Sequence, residues 1–148
     1  MSARHVALVH KTKWPVRELA QSILIYASEH DDRLPLAKWQ DAVSPYFGRM
    51  TEPGAARDPL PSRQEMGNTI AFHKRLLGIQ HYRIEAPAET AMLYLSTQIE
   101  PNALGEGSDV RFVQESWTVI GFADGSARMR PKAMMDRSVF RVVVSAEP

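Results

Sequence analysis

PVRELAQSILIYASEHDDRLP, Pro15 to Pro35, is the stretch whose reading decides the fold. Val16, Leu19, Ala20, Ile23, Leu24 and Ala27 recur at the three-and-four spacing that gathers apolar side chains on one face of a helix. Pro15 suits a first helical turn, where its missing N–H leaves no bond unmade. Pro35 closes the segment. The spacing predicts a helix from about Pro15 to Glu29, with Ile23 and Leu24 buried and the rest of the chain packed onto it. Asp31 and Asp32 suit a position beyond its last turn, because a helix C-terminus repels negative charge.

Upstream, Val6 to Val9 is an apolar run between His5 and His10. It reads as an earlier helical turn broken or kinked at Pro15, or as a short extended lead-in, with helix preferred. Downstream, Leu36, Trp39, Val43, Tyr46 and Phe47 repeat the helical spacing and predict a second helix over Leu36–Phe47. Gly48–Gly67 has Pro53, Gly54, Pro59 and Pro61 without any apolar period, so it reads as a long loop. Short strands are expected at Thr69–Phe72, Gln80–Ile84 and Val110–Gln114, with a loop over Pro101–Asp109. Ala91–Leu95 is apolar throughout and reads as a strand buried on both faces. Ser138–Ser145 reads as a last strand, with Phe140, Val142 and Val144 inward and Arg141 opposite. Helices first and strands after argue for an α+β fold, the N-terminal helix lying on an antiparallel β-sheet. One domain over residues 1–148 is expected, with a helical part at about 5–47, the loop at 48–67 and a sheet part at about 68–145.

The sharpest local signal is SWTVIGFADGSARMR, Ser116 to Arg130. Asp124-Gly125 between two alternating runs predicts a two-residue hairpin turn, pairing Phe122 with Ala127 and Ile120 with Met129. That register puts Ile120, Phe122, Ala127 and Met129 on a buried side. Arg128 and Arg130 then fall on the opposite, exposed side, which with Lys132 forms a candidate partner-contact face.

Composition narrows the function. Apolar residues make up 44% of the chain and charged residues 24%, as in an ordinary globular protein. Lys and Arg number 18 against 17 Asp and Glu, so no overall field recommends nucleic acid, membrane or an acidic substrate. The absence of Cys removes disulfides, thiolate chemistry and Cys-ligated zinc. The longest apolar runs fall far short of the roughly 20 residues that span a bilayer, and the first residues lack the apolar core of a signal peptide. The chain as given therefore reads as soluble, without an export signal.

Five histidines invite a metal hypothesis, but none forms an HxxxH pair, and His30-Asp31-Asp32 on one turn reads as solvated. Asp124 reads as a turn former rather than a catalytic acid. No phosphate-cradling glycine motif or nucleophile motif occurs. Trp14, Trp39 and Trp117 each sit in an apolar period and read as core or core-edge residues. No catalytic, metal or cofactor-binding residue is assigned.

The ordered blocks of the chain resemble the prepilin-type processing-associated family, named for a His, nine residues and Asp-Gly. The matching residues are Tyr26-Ala27, Asp31-Asp32, Leu34-Pro35, Trp39, Pro45-Tyr46, Pro87-Ala88-Glu89-Thr90 leading into Ala91-Met92-Leu93, and Phe122-Ala123-Asp124-Gly125. They span about Leu19 to Pro131. The chain departs from the family pattern at Gln114, where the His would fall, at Asp58-Pro59 for a Cys-Pro pair, at His73 for an Asn, and at Ser126 for a His. The N-terminal processing site and apolar anchor helix of the family are absent from the chain as given. The resemblance implies a pseudopilin-like α+β fold. It also implies a non-enzymatic scaffold of the type II secretion or type IV pilin kind, with other protein subunits as partners and a location in the cell envelope. No cofactor, nucleic acid or membrane contact is expected. Two rival readings are a metal-dependent hydrolase using His30, Asp31, Asp32 and His73, and a small-ligand or nucleic-acid binding module using Arg128 and Arg130.

Overall fold

The computed structural model describes residues 3–47 and 69–146, so the expected Gly48–Gly67 loop lies outside the described residues. Helix α1 runs over Ala3–Ser28, longer than the spacing predicts, and carries Pro15 inside it. Proline is tolerated here because the Lys11 carbonyl that loses its usual helical donor belongs to an exposed residue. Packing upstream holds the extra turns in place. Leu8 and Val9 lie against the core, and the His5 ring meets Trp117 edge-on with centroids 5.9 Å apart. Val16, Leu19, Ala20, Ile23 and Ala27 are buried, as the period requires. Leu24 is only half-buried, because it leaves the sheet face and packs at the hairpin turn instead.

The helix ends in a turn in which the Asp32 N–H reaches back to the Ala27 carbonyl at 2.8 Å. Asp31 and Asp32 take left-handed backbone there, with φ 59° and 61°. The second helix is shorter than expected. Helix α2 covers only Trp39–Val43, followed by a 3-10 turn at Ser44–Tyr46, and Leu36 is exposed rather than anchoring it.

Five strands form one sheet: β1 (Ile70–His73), β2 (Ala91–Leu95), β3 (Leu104–Gly105), β4 (Trp117–Phe122) and β5 (Ala127–Pro131), in the order β3-β1-β2-β4-β5. The sheet is mixed, not antiparallel throughout, because β3 forms within the expected Pro101–Asp109 loop and runs parallel to β1. Ala91–Leu95 is buried at every position, as its unbroken apolar run predicts. The strand expected at Thr69–Phe72 is met by β1, Ile70–His73, but three other expected strands are not strands. Gln80–Ile84 becomes a 3-10 turn at His81–Arg83, and Val110–Gln114 makes only isolated bridges at Val110 and Val113. Ser138–Ser145 starts inside a 3-10 turn, Arg137–Phe140, and touches the strand-like bridge pattern only at Val144. Its side chains nevertheless alternate as expected, with Phe140 buried and Arg141 exposed.

The hairpin β4–β5 corrects the sequence expectation by one residue. Gly121 pairs with Ala127 and Ile120 with Arg128. Only Gly125 takes positive φ, 88°, and Asp124 does not, so the primed two-residue turn is not formed. Instead the Gly125 N–H donates to the Phe122 carbonyl at 3.0 Å, and the Phe122 N–H to the Ser126 carbonyl at 2.8 Å. This is a three-residue loop with left-handed Gly125 as its bulge. A slip of one residue carries every β5 side chain to the other face. Ala127 and Met129 therefore face α1 with Val119, while Arg128 shares the far face with Ile120 and Phe122.

Two clusters follow, one on each side of the sheet. The larger lies under α1 and includes Val16, Ile23, Phe72, Leu93 and Val119. The smaller gathers Tyr94, Ile120 and Phe122 and is closed by Phe140 of the C-terminal segment, whose ring meets Tyr94 edge-on at 5.3 Å.

Ile23→Ala is expected to cost about 2–5 kcal/mol in equilibrium denaturation, and Leu24→Ala distinctly less. Gly125→Val should cost about 1–3 kcal/mol, because a β-branched residue must hold left-handed backbone there. Denaturation of the two α1 variants with equal losses would contradict the packing described.

Candidate functional site

The far face of the sheet carries a cluster of arginines set in a cavity. Arg128 and Arg130 stand two residues apart on β5 and so point to the same side. Both guanidiniums lie over the Phe122 ring of β4, at 4.8 and 5.4 Å from its centroid, within cation–π range. The C-terminal segment brings Arg141 to the opposite wall, and a cavity of about 440 Å³ lies between. Glu89 and Asp136 also line it. Asp136 is committed locally: its carboxylate accepts from the Ser138 N–H at 2.9 Å, and that bond first of all holds its carboxyl below the usual range.

The guanidiniums are weakly engaged by protein. Arg128 has Asp124 at 3.9 Å, beyond hydrogen-bond reach, and Arg130 donates to the Met129 carbonyl at 3.2 Å. Arg141 makes no side-chain hydrogen bond or ion pair among the described residues. Lys132, grouped with the two arginines by sequence, lies elsewhere. Its ammonium is 3.5 Å from Glu115 and stands over the Phe112 ring at 5.3 Å. The structure thus brings Arg128 and Arg130 together, moves them off the open surface, leaves Lys132 out and adds Arg141. Nothing in the sequence singled out Arg141, because the C-terminal segment reaches β5 through 3-10 turns that periodicity does not report.

The groups of the hydrolase reading are not assembled into a centre. The His30 ring stacks on Tyr26 with centroids 3.8 Å apart and bonds the Tyr26 carbonyl through Nδ1 at 2.7 Å. Asp32 Oδ2 accepts from the Tyr82 N–H at 2.8 Å. His73 is buried against Phe140, its Nδ1 accepting from the Arg75 N–H at 3.2 Å and its Nε2 bonded to the Phe140 carbonyl at 2.8 Å. The first contact needs Nδ1 bare, so the second needs a proton on Nε2: the ring is held as the neutral Nε2–H tautomer. Among the described residues no three His, Asp or Glu side chains are placed to share an ion.

Asp124 is occupied by its turn, its Oδ1 accepting from the Ser126 N–H at 2.9 Å and the Ser126 hydroxyl at 2.6 Å. A second carboxylate that sequence reasoning passed over, Asp109, accepts from Tyr94 at 2.6 Å, Gln98 at 2.7 Å and the Ser96 hydroxyl. Burial pushes its pKa up, but the bonds from Ser96, Tyr94 and Gln98 outweigh burial and hold the carboxyl below the usual range. Burial and this same carboxylate push the Tyr94 hydroxyl well above the usual phenol range. Bonded three times by neighbouring side chains, this carboxylate ties the end of β2 to the loop before Val110.

No family model, curated protein or solved structure matches the chain. No helix among the described residues is long and apolar enough to cross a membrane.

Burial lowers the pKa of His73 from 6.5. A base that is harder to protonate folded than unfolded contributes stability that is complete above the unfolded pKa and lost as pH falls towards the folded one. Denaturant midpoints are therefore expected to fall as pH drops below 6.5. In His73→Gln that part of the slope should vanish, although the variant is less stable throughout. An unchanged slope in the variant would assign the pH dependence to another group.

Proposed function

We propose that this chain is a non-enzymatic, pseudopilin-like scaffold domain that works through contacts with other protein subunits. The observation that carries the reading is the course of α1. Its second half is the spine of the fold, buried under the sheet from Pro15 to Ala27 on one side. Its first half keeps the same helical course past Pro15 while Arg4, Val6, Ala7, His10 and Lys11 stay exposed, Val6 at 52%. A helix that serves as spine at one end and offers side chains outward at the other suits a subunit that stacks on its neighbours.

The residues that carry the resemblance support the same reading, because they act as joints. Leu34 and Trp39 are core residues, and the Trp39 indole N–H donates to the Ala103 carbonyl at 3.0 Å. Tyr26 packs edge-on against Tyr46 with centroids 6.1 Å apart. The Asp124 carboxylate is committed to its turn. Such a set preserves a shape and supplies no reactive group.

The absence of native Cys makes the test direct. Val6→Cys on the outward side of α1 is expected to give concentration-dependent disulfide dimers on mild oxidation, and Glu100→Cys on a distant exposed loop should give far fewer. Equally slow cross-linking at both positions, with a single monomeric species in sedimentation at every concentration, would count against α1 as an assembly surface.

A further inference from the structure

The cavity between β5 and the C-terminal segment carries an inference that does not rest on the scaffold reading. Two like charges held beside one aromatic ring repel each other, and the ring face compensates them only in part. Each guanidinium brings five donors in a planar fork. Among the described residues, those of Arg128 and Arg130 have one carbonyl bond between them, and no carboxylate comes within hydrogen-bond reach of either or of Arg141. Sheet and hairpin fix the strand on which the first two stand, so the cost of bringing the cations together is met by folding, before any ligand arrives.

We propose that this cavity is a binding site for a small organic anion, a carboxylate or phosphate on a compact apolar body. Arg128 and Arg130 would hold the anionic group, with Arg141 facing it from the opposite wall. The volume of about 440 Å³ falls among ordinary small-ligand pockets. Val139, Val143 and Ala86 supply apolar wall for the body of the ligand. Charge sets the class more narrowly. Three arginines against Glu89 and Asp136 leave the lining with one net positive charge, enough for one anionic group and too little for a polyanion, whose binding rests on many phosphate contacts. Lys132 is turned away to Glu115 and does not extend the basic surface into a track for a nucleic-acid backbone.

The test is calorimetric titration with phenyl phosphate, benzoate and, as the neutral analogue, phenol. Saturable binding of phenyl phosphate or benzoate but not phenol is expected, and which of the two binds more tightly separates phosphate from carboxylate recognition. Arg128→Gln or Arg130→Gln should weaken that binding by about tenfold or more, the range for a charge-assisted bond lost. Lys132→Gln should leave it unchanged. Saturation-transfer contacts between the bound aromatic ring and Val139 or Val143 in the unsubstituted chain decide the location if a Gln variant does not fold. Absence of saturable binding, equal binding of phenol, equal weakening by Lys132→Gln, or tighter binding of a short oligonucleotide than of phenyl phosphate would each overturn the proposal.

Discussion

Val16 of α1 and Leu93 of β2 close over Gly121 of β4. A Cβ at Gly121 would stand 3.0 Å from the Val16 side chain and 3.2 Å from that of Leu93. That closeness sets how deeply the helix settles on the sheet, and the rest of the packing is arranged around it. With α1 seated this low, the small side chains Ala20 and Ala27 fit beneath it, and Val119, Ala127 and Ile23 join one core. The same glycine pairs with Ala127 across the hairpin, so the position that admits the helix also lies in the register of β5. One side of the sheet is thereby filled, and whatever β4 and β5 carry on the other side must find cover elsewhere.

That cover is the C-terminal segment. Phe140 seals the far cluster against Tyr94 and His73, and Gly107, with φ 96°, gives up a side chain because its Cβ would stand only 2.6 Å from the Phe140 ring. The closure is incomplete towards β5, where Phe122 is covered by two arginines instead of by aliphatic side chains. Arginine is suited to such a place, since its flat, weakly hydrated head lies on an aromatic face while its edge still meets solvent or ligand. The basic residues are thus part of the packing of the far face as well as its chemistry.

The sequence was legible where pattern and packing report the same thing. The α1 period and the unbroken Ala91–Leu95 run survive because both describe burial, and burial is what the structure shows at Ile23 and at every position of β2. Alternation in Phe140, Val142 and Val144 also described which side chains turn inward, but alternation does not require a regular strand, and this segment pairs with residues 83–85 only through an isolated bridge. The hairpin failed for a different reason. Asp-Gly is compatible with a primed two-residue turn and with a three-residue loop ending in a left-handed glycine, and the choice depends on which β5 residues α1 can accept. Ala127 and Met129 fit beneath the helix, and two arginines do not. The candidate site was half-legible in consequence: Arg128 and Arg130 stood out, but their face and their third partner, Arg141, were set by tertiary packing.

Helix α2 shows how far apart in the chain a local structure and its cause can lie. It spans Trp39–Val43, and Lys38 before it provides no side-chain cap. The N–H groups of Gln40 and Asp41 are met instead by Asn102 Oδ1, at 2.8 and 3.2 Å, while Trp39 donates to the neighbouring Ala103 carbonyl. A helix this short cannot hold itself in water, so nucleation here waits for a loop some sixty residues away to arrive. Ala103 in turn is placed by β1, whose Phe72 N–H binds the same carbonyl at 2.9 Å. Chain order is therefore a poor guide to what holds α2 in place: its cap comes from across a long loop, whose closure costs entropy before the contact is made.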